Sequence, residues 1–137
     1  MKITNQALRE VHQHAAEGYP NEICGILIAA RGSDVVTQSR RVRNTVVDRA
    51  RDRYEMDPRD QIRVQDECDK RGLVIVGYYH THPDHPAMAS VTDSDRSWAG
   101  VTYLIVSCVK GEAKAQNAFM SERDQGTLRQ VPLEIVG

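Results

Sequence analysis

The sequence is poor in the features that define several common classes of protein. Its 137 residues include one Trp, one Phe and five Tyr, too few to expect a stacking surface for nucleic-acid bases. The 18 basic and 19 acidic residues leave a formal net charge of -1, so no overall field attracts nucleic acid or an anionic membrane. No apolar stretch approaches ~20 residues and the N-terminal MKITNQALREV lacks an apolar region, so we expect neither a membrane span nor a secretory signal. These absences predict a cytoplasmic protein with no nucleic-acid or membrane partner.

The three cysteines do not form a recognisable ligand or disulfide pattern. Cys24, Cys68 and Cys108 lie at least 40 residues apart, and no CxxC pair occurs. This spacing argues against a cysteine-rich structural zinc site and against a disulfide scaffold. We expect the three side chains to be buried as small apolar groups.

The order of the predicted elements favours one α/β domain over residues 1–137, because the length leaves no room for a second core. Helices are predicted over residues 4–18, 57–72 and 93–99. Strands are predicted over residues 22–30, 35–42, 54–56, 73–79, 102–109, 113–120 and 128–135. Several strands are continuous apolar runs, which is typical of strands buried on both faces. The mixture predicts a mixed sheet with helices packed on it.

Three of the five histidines, His80, His82 and His85, fall within six residues. The first two follow the predicted strand 73–79. Residues i and i+2 of a strand point to the same side, so His80 and His82 can approach one ion together. Asp93 follows eleven residues after His82 and could add a carboxylate if the intervening loop folds back. Two imidazoles and one carboxylate form a common catalytic zinc set, whose fourth position is left for water.

Each part of this pattern also has a purely structural explanation. Histidines spaced i, i+2 are common without a metal, and the string from Ser90 to Asp93 matches a capping box that serves only the start of a helix. Glu22 could be an exposed acid beside a turn. His85 could be a solvated loop residue or could line a cleft.

The complete pattern resembles the motif of the JAMM (MPN-plus) zinc metalloprotease family. The chain reads H-x-H-P over residues 80–83 and, after six residues, S-x-x-D over residues 90–93. Glu22, followed by Ile-Cys-Gly ahead of a buried strand, is similar to the upstream glutamate of that family. The resemblance extends from about Leu8 to Val131, and Asn44, Asp57 and Pro58 also look like family positions. It implies a curved mixed β-sheet flanked by helices, a fold related to that of the cytidine deaminases.

The resemblance implies a role for each site residue. His80, His82 and Asp93 would hold one zinc ion per chain, with water as the fourth ligand. Glu22 would take a proton from that water and pass it to the leaving amine, and Ser90 would donate a hydrogen bond to the developing oxyanion. The chemistry is sound, because bound zinc lowers the pKa of water from ~16 to ~7 and a neighbouring carboxylate can carry a proton.

The resemblance also suggests a substrate class and leaves an alternative open. The string H-T-H-P-D-H-P over residues 80–86 looks like the compact prokaryotic branch, which acts on ubiquitin-like sulfur carriers of the ThiS/MoaD type. Cleavage would fall at a peptide or isopeptide bond after the carrier's C-terminal Gly-Gly. The alternative is a non-catalytic MPN-type scaffold that binds a ubiquitin-like partner. Such a scaffold would be expected to have lost metal ligands. A zinc deaminase needs H-x-E with P-C-x-x-C and a helical protease needs HExxH, and these strings do not occur.

Six arginines lie between residues 40 and 53, opposed only by Asp48 and Asp52. This basic segment could steer an acidic carrier protein toward the cleft. It could also be a solvated loop held by local ion pairs.

Overall fold

We describe a computed structural model of all 137 residues. Its elements are β1 Lys2–Thr4, α1 Asn5–Gly18, β2 Cys24–Ala30, β3 Val35–Val42, α2 Pro58–Arg71, β4 Leu73–Pro83, α3 Val91–Asp95, β5 Thr102–Val109, β6 Glu112–Met120, β7 Arg129–Val131 and β8 Glu134–Val136. The strands form one sheet in the order β7-β6-β5-β4-β2-β3-β1-β8. β1 runs parallel to β3 and β8, β4 runs parallel to β5, and the remaining pairs are antiparallel. The predicted α/β fold with a mixed sheet is confirmed.

The two long helices begin where their capping residues predict. Thr4 caps α1, because its side chain accepts the N–H of Ala7 at 3.1 Å. Asp57 caps α2 by accepting the N–H of Arg59 at 2.9 Å, with Pro58 in the first turn, where no N–H is needed. Gly72 caps the C-terminus of α2, and its φ of 67° is unfavourable for residues with a Cβ.

The helices cover opposite faces of the sheet and divide the core into layers. The layer under α1 contains Ile3, Ala7, Leu8, Val11, Ala15, Ile23, Leu27, Val36, Tyr79, Leu104, Val106 and Cys108. The layer under α2 contains Cys24, Ile26, Ile28, Val42, Val64 and Cys68. All three cysteines are buried, as predicted.

Alternation along β4 decides which side chains can reach the site. Tyr79 packs in the α1 layer, so its neighbour His80 faces the α2 side of the sheet. Tyr79 lies across Gly25 of β2, where a Cβ would collide with the tyrosine ring. This close approach lets the Tyr79 hydroxyl reach Nδ1 of His14 at 2.8 Å, and it holds Cys24 directly opposite His80 in the β2–β4 ladder.

Several predicted boundaries were wrong, and backbone pairing explains them. β4 continues to Pro83 because it pairs with β5 as far as Cys108. The predicted strand 128–135 is broken into β7 and β8, with Pro132 between them, because proline has no N–H to donate to a ladder.

The other differences concern short elements. The third helix covers Val91–Asp95 rather than 93–99, because the Arg96 N–H bonds to carbonyls within the turn and closes it. The predicted strand 54–56 is reduced to a single bridge between Asn44 and Met56. β1 was not predicted. No helix is long and apolar enough to cross a membrane.

Candidate active site

The predicted site residues meet where β2 begins and β4 ends. His80 and His82 belong to the last four residues of β4, and Glu22 lies two residues before the start of β2. The residues between them lock the two strands together. The Ile23 N–H donates to Thr81 Oγ1 at 3.0 Å, and the Thr81 N–H donates to the Ile23 carbonyl at 3.1 Å. Glu22 is therefore fixed in register with both histidines.

Asp93 completes the group from the start of α3. Its Oδ1 lies 3.1 Å from Nε2 of His80, and its Oδ2 lies 3.1 Å from Nε2 of His82. Ligand atoms of Glu22, His80 and His82 lie within 4.8 Å of one another. The structure thus brings together both imidazoles and both carboxylates that the sequence singled out.

These residues fit a zinc ion. Both ring nitrogens of His80 are buried and make no hydrogen bond, since the approach of Nε2 to Asp93 lacks hydrogen-bond geometry. Such orphaned polar atoms are rare in folded proteins. The Pro86 carbonyl lies 3.0 Å from His82 Nδ1, and a carbonyl only accepts, so Nδ1 carries a hydrogen and the neutral form of the ring has its Nε2 lone pair facing Asp93.

Lone pairs and a carboxylate that face one another repel unless a cation lies between them. Ligand atoms at ~2.1 Å from one tetrahedral zinc ion lie roughly 3.4 Å apart, close to the 3.1 Å separations seen here. His80, His82 and Asp93 are therefore suited to hold the ion, and they leave one side of it open toward Glu22.

Burial controls the charge state of Glu22. Glu22 is only 7% exposed, and this burial raises the pKa of its carboxyl to about 7. The charges of His82 and Arg53 act in the opposite direction but do not outweigh burial. A carboxyl with a pKa near 7 can both accept and return a proton at neutral pH.

The charge states of the other three groups follow from their mutual contacts. Burial lowers the pKa of the His80 imidazole. Burial acts in the same direction on His82, but its contacts with Asp93 and the Pro86 carbonyl outweigh it and raise the pKa of His82. Burial alone would raise the pKa of Asp93, yet the nearby imidazoles of His80 and His82 and the N–H of Ser90 hold it well below its usual range. Asp93 is therefore ionised and available as a ligand.

Ser90 forms the capping box that the sequence left as an alternative. Its Oγ accepts the Asp93 N–H at 3.1 Å, while Asp93 Oδ2 accepts the Ser90 N–H at 2.9 Å. A serine hydroxyl that accepts one hydrogen bond still has its O–H to donate, and Ser90 lines the cleft described below. Capping and oxyanion stabilisation are therefore compatible.

Side chains of β5 and β6 hold the loop that joins β4 to α3. Ser107 Oγ donates to the His85 carbonyl at 2.6 Å, and Asn117 Nδ2 donates to the Ala87 carbonyl at 2.9 Å. Pro86 lies between these two anchored residues, and its carbonyl faces the His82 imidazole. The anchors therefore fix the orientation of that imidazole, as outer partners of metal-binding histidines do.

Two further residues of the site were not predicted from the sequence. The Tyr54 ring stacks on His80, with centroids 4.6 Å apart and planes 23° apart. Arg96 Nη1 donates to the Tyr54 carbonyl at 2.6 Å. The sequence predicts a short strand at Tyr54, and no local pattern shows that its ring packs on a histidine 26 residues later.

Asn44 ties the segment before Tyr54 to Glu22. Its Nδ2 donates to the carbonyls of Glu22 and Arg53, both at 3.1 Å. Its Oδ1 accepts the N–H groups of Val46 and Glu55, both at 3.0 Å. The resemblance had marked Asn44 as a family position, and these four hydrogen bonds give it a physical role.

The site opens into a cleft with a volume of about 410 Å³. Glu22, His82, Ser90 and Asp93 line it, and so does His85, which is exposed. His80 lies beneath, with a side chain only 2% exposed. A cleft of this size admits a few residues of extended chain.

The arginines of the basic segment divide into two sets. Three of them form ion pairs away from the site: Arg40 with Glu67, Arg41 with Glu17, and Arg43 with Asp57 and Asp60. Arg49 pairs with Asp52, which lines the cleft. Arg51 and Arg53 form no ion pair and line the cleft.

Comparison with known sequences assigns the family. Residues 4–122 match the prokaryotic homologs of the JAB domain. A desampylase of Haloferax volcanii is 33% identical over 112 residues, covering 78% of this chain and 80% of that protein. A Lys-63-specific deubiquitinase of Camponotus floridanus is 26% identical over 141 residues, covering 90% of this chain and 55% of that protein. A CysO-cysteine peptidase of Mycobacterium tuberculosis is 32% identical over 80 residues, covering 58% of this chain and 53% of that protein. This chain thus spans about half the length of the last two.

Solved structures agree with this assignment. A protein from Salinibacter ruber superposes with a TM-score of 0.76 at 32% identity, covering 99% of this chain and 92% of that one. A JAB1/MPN domain protein from Archaeoglobus fulgidus shares the fold, with a TM-score of 0.62 at 17% identity and coverage of 99% and 97%. The chain therefore belongs to the prokaryotic branch of the JAMM/MPN metalloprotease family and is a peptidase of that family.

Proposed function

We propose that this peptidase is zinc-dependent and hydrolyses the bond that follows the C-terminal Gly-Gly of a ubiquitin-like or sulfur-carrier protein. The observation that carries the proposal is the convergence of His80, His82 and Asp93 on one point beside Glu22, at the inner end of a cleft. The names of the relatives, desampylase, deubiquitinase and CysO-cysteine peptidase, support cleavage of ubiquitin-like conjugates.

The residues divide the work of hydrolysis. His80 and His82 would hold one zinc ion per chain through Nε2, and Asp93 would hold it through its carboxylate. When bound, zinc lowers the pKa of a coordinated water to about 7, which supplies a nucleophile near neutral pH. Glu22 accepts the proton of the attacking water and donates it to the leaving nitrogen as the C–N bond breaks. The Ser90 O–H donates to the carbonyl oxygen as that oxygen gains negative charge.

A slender, flexible substrate segment suits the cleft. Its volume of about 410 Å³ accepts an extended Gly-Gly tail and excludes a folded domain. Glycine at both positions lets the backbone approach the buried His80–Asp93 pair closely, since no side chain intervenes. We also propose that residues 1–137 act as one JAMM/MPN domain and that the protein is cytoplasmic, which cell fractionation would test.

Mass spectrometry of a carrier protein tests the function directly. Zinc-loaded protein is mixed with a ubiquitin-like carrier that bears residues beyond its Gly-Gly, and the carrier mass is followed over time. We expect the mass to fall to that of the Gly-Gly form, and we expect chelation or Glu22→Ala to abolish the change. Arg31→Gln is the matched control, because Arg31 is exposed in a turn and its side chain makes no bond. Full activity of Glu22→Ala would contradict the role given to Glu22.

The metal content distinguishes the proposal from a non-catalytic scaffold. We expect close to one zinc per chain after purification without chelators, and we expect His82→Ala to lower it. A content well below one, together with an unchanged carrier mass, would favour the scaffold.

A further inference from the structure

Three arginines without a carboxylate partner line the cleft. They are Arg51 and Arg53, from the loop before Tyr54, and Arg96, just after α3. Their hydrogen-bonding groups are almost unused. Arg51 makes no hydrogen bond, Arg53 donates only to the Asp52 carbonyl at 3.3 Å, and Arg96 donates only to the Tyr54 carbonyl at 2.6 Å. Each guanidinium has five N–H donors, so most remain free for a ligand.

No acidic group of the cleft forms an ion pair with these arginines. Asp52 is paired with Arg49 at 2.7 Å. Both oxygens of Asp93 face imidazoles. Glu22 is buried and forms no ion pair. The three guanidinium groups are therefore free of ion pairs, and a bound divalent cation adds positive charge to the cleft. An anionic group on the substrate would be attracted into this space.

We propose that Arg51, Arg53 and Arg96 form a subsite for the free α-carboxylate of the residue that is released. This inference rests on the proposed function, since it concerns the part of the substrate that follows the scissile bond. It predicts that the enzyme releases a single amino acid or a short C-terminal tail. An isopeptide-linked protein would offer no such carboxylate inside the cleft.

The position of Arg53 relative to Glu22 supports this choice of anion. Arg53 is the arginine whose charge acts on Glu22, and the Asn44 amide holds the carbonyls of both residues. Glu22 gives its proton to the leaving amine, so that amine lies beside Glu22. In a single amino acid the α-carboxylate is only two bonds from the amine. It therefore falls on the Arg53 side of the cleft, where a guanidinium can bind it through two parallel hydrogen bonds.

Binding to a variant that does not turn over tests the subsite without relying on activity. Two peptides are prepared that end in Gly-Gly-Ala, one with a free carboxylate and one with a carboxamide. Their dissociation constants are measured by calorimetry with zinc-loaded Glu22→Gln protein. We expect the free acid to bind at least 10-fold more tightly, as charge-assisted hydrogen bonds are among the strong ones. Adding Arg53→Gln should bring the ratio close to one, and Arg51→Gln and Arg96→Gln should reduce it.

The matched control is Arg31→Gln in the same background. Arg31 follows the last residue of β2, whereas Cys24 at the other end of β2 pairs with His80. Arg31 therefore lies roughly 20 Å away along the strand, and its replacement should leave the ratio unchanged. Equal affinities for acid and amide, or a ratio that survives all three cleft substitutions, would overturn the proposal.

A second pair of substrates identifies the source of the carboxylate. A carrier protein is extended after Gly-Gly by alanine or by alaninamide. The kcat/KM for each carrier is measured with the wild-type protein and with Arg53→Gln, both of which retain Glu22. We expect the free acid to be cleaved at least 10-fold more efficiently and the preference to disappear in Arg53→Gln. If Arg53→Gln lowers kcat/KM equally for both carriers, the arginines bind acidic side chains of the carrier. That result would contradict the subsite. If neither carrier is cleaved but the calorimetric preference holds, the proposed function fails while the subsite stands.

Discussion

Replacing Glu22 by glutamine should stabilise the metal-free protein at alkaline pH. Glu22 is only 7% exposed and forms no ion pair. Burial raises the pKa of its carboxyl from 4.5 to about 7. The folded protein therefore resists the charged form that the proposed chemistry needs. Glutamine has nearly the same shape and stays neutral at every pH.

The size and sign of the effect follow from the two pKa values. Below pH 4.5 the carboxyl is protonated in the folded and unfolded states, so it contributes no difference. Between pH 4.5 and 7 the unfolded state releases the proton first, so the free energy of unfolding falls as pH rises. Above pH 7 the carboxyl is charged in both states, and the folded protein carries a cost of about 3 kcal/mol, because one pKa unit corresponds to about 1.4 kcal/mol.

Urea unfolding of chelator-treated protein measures this difference. We expect wild type and Glu22→Gln to have similar free energies of unfolding near pH 4. At pH 8 the variant should be more stable by about 3 kcal/mol, with the gap opening between pH 4.5 and 7. Glu122→Gln is the matched control, because the Glu122 side chain is exposed and forms no hydrogen bond or ion pair, so its replacement removes no buried charge. Equal stabilities of wild type and Glu22→Gln at pH 8 would refute the view that Glu22 is held in a costly environment for function.

Substitutions at three further residues test separate parts of the site. Ser90→Ala should lower kcat by roughly 100-fold, as the loss of one oxyanion donor does, and should leave the zinc content unchanged. A single-turnover rate measures the first effect, and a metal analysis measures the second. Asn117→Ala should weaken zinc binding about 10-fold, because it frees the loop that orients His82. A competition titration with a chelator measures the zinc affinity, and an unchanged affinity would show that the loop needs no anchor. Tyr54→Ala should also weaken zinc binding, because the ring stacked on His80 is lost, whereas Tyr54→Phe should not; equal effects of the two would contradict the stacking role.

Local sequence signals predicted the elements whose structure is decided locally. Both long helices have apolar spacing and explicit caps at Thr4 and Asp57, and both form as predicted. β1 has only three residues and exists because it pairs with β3 and β8, whose partner residues come 33 and 132 positions later. Such pairing depends on the tertiary fold and leaves no local periodicity to detect.

The candidate site shows the same division. The H-x-H-P and S-x-x-D strings named four residues that lie close together in the structure, and the resemblance added Glu22 from far upstream. Tyr54 and Arg96 carry no motif, because they contact the site through a ring stack and a bond to a backbone carbonyl. The capping box and the ligand role of Asp93 looked like alternatives in the sequence. In the structure one carboxylate can serve both, since it has two oxygens.

Anomalous diffraction at the zinc edge, from crystals of the zinc-loaded protein, tests the central claim most directly. We predict one peak per chain, about 2.0–2.2 Å from Nε2 of His80, from Nε2 of His82 and from a carboxylate oxygen of Asp93, with Glu22 outside bonding distance of the ion. A peak bonded to Glu22 in place of Asp93, or no peak at these histidines, would contradict the assignment of the site.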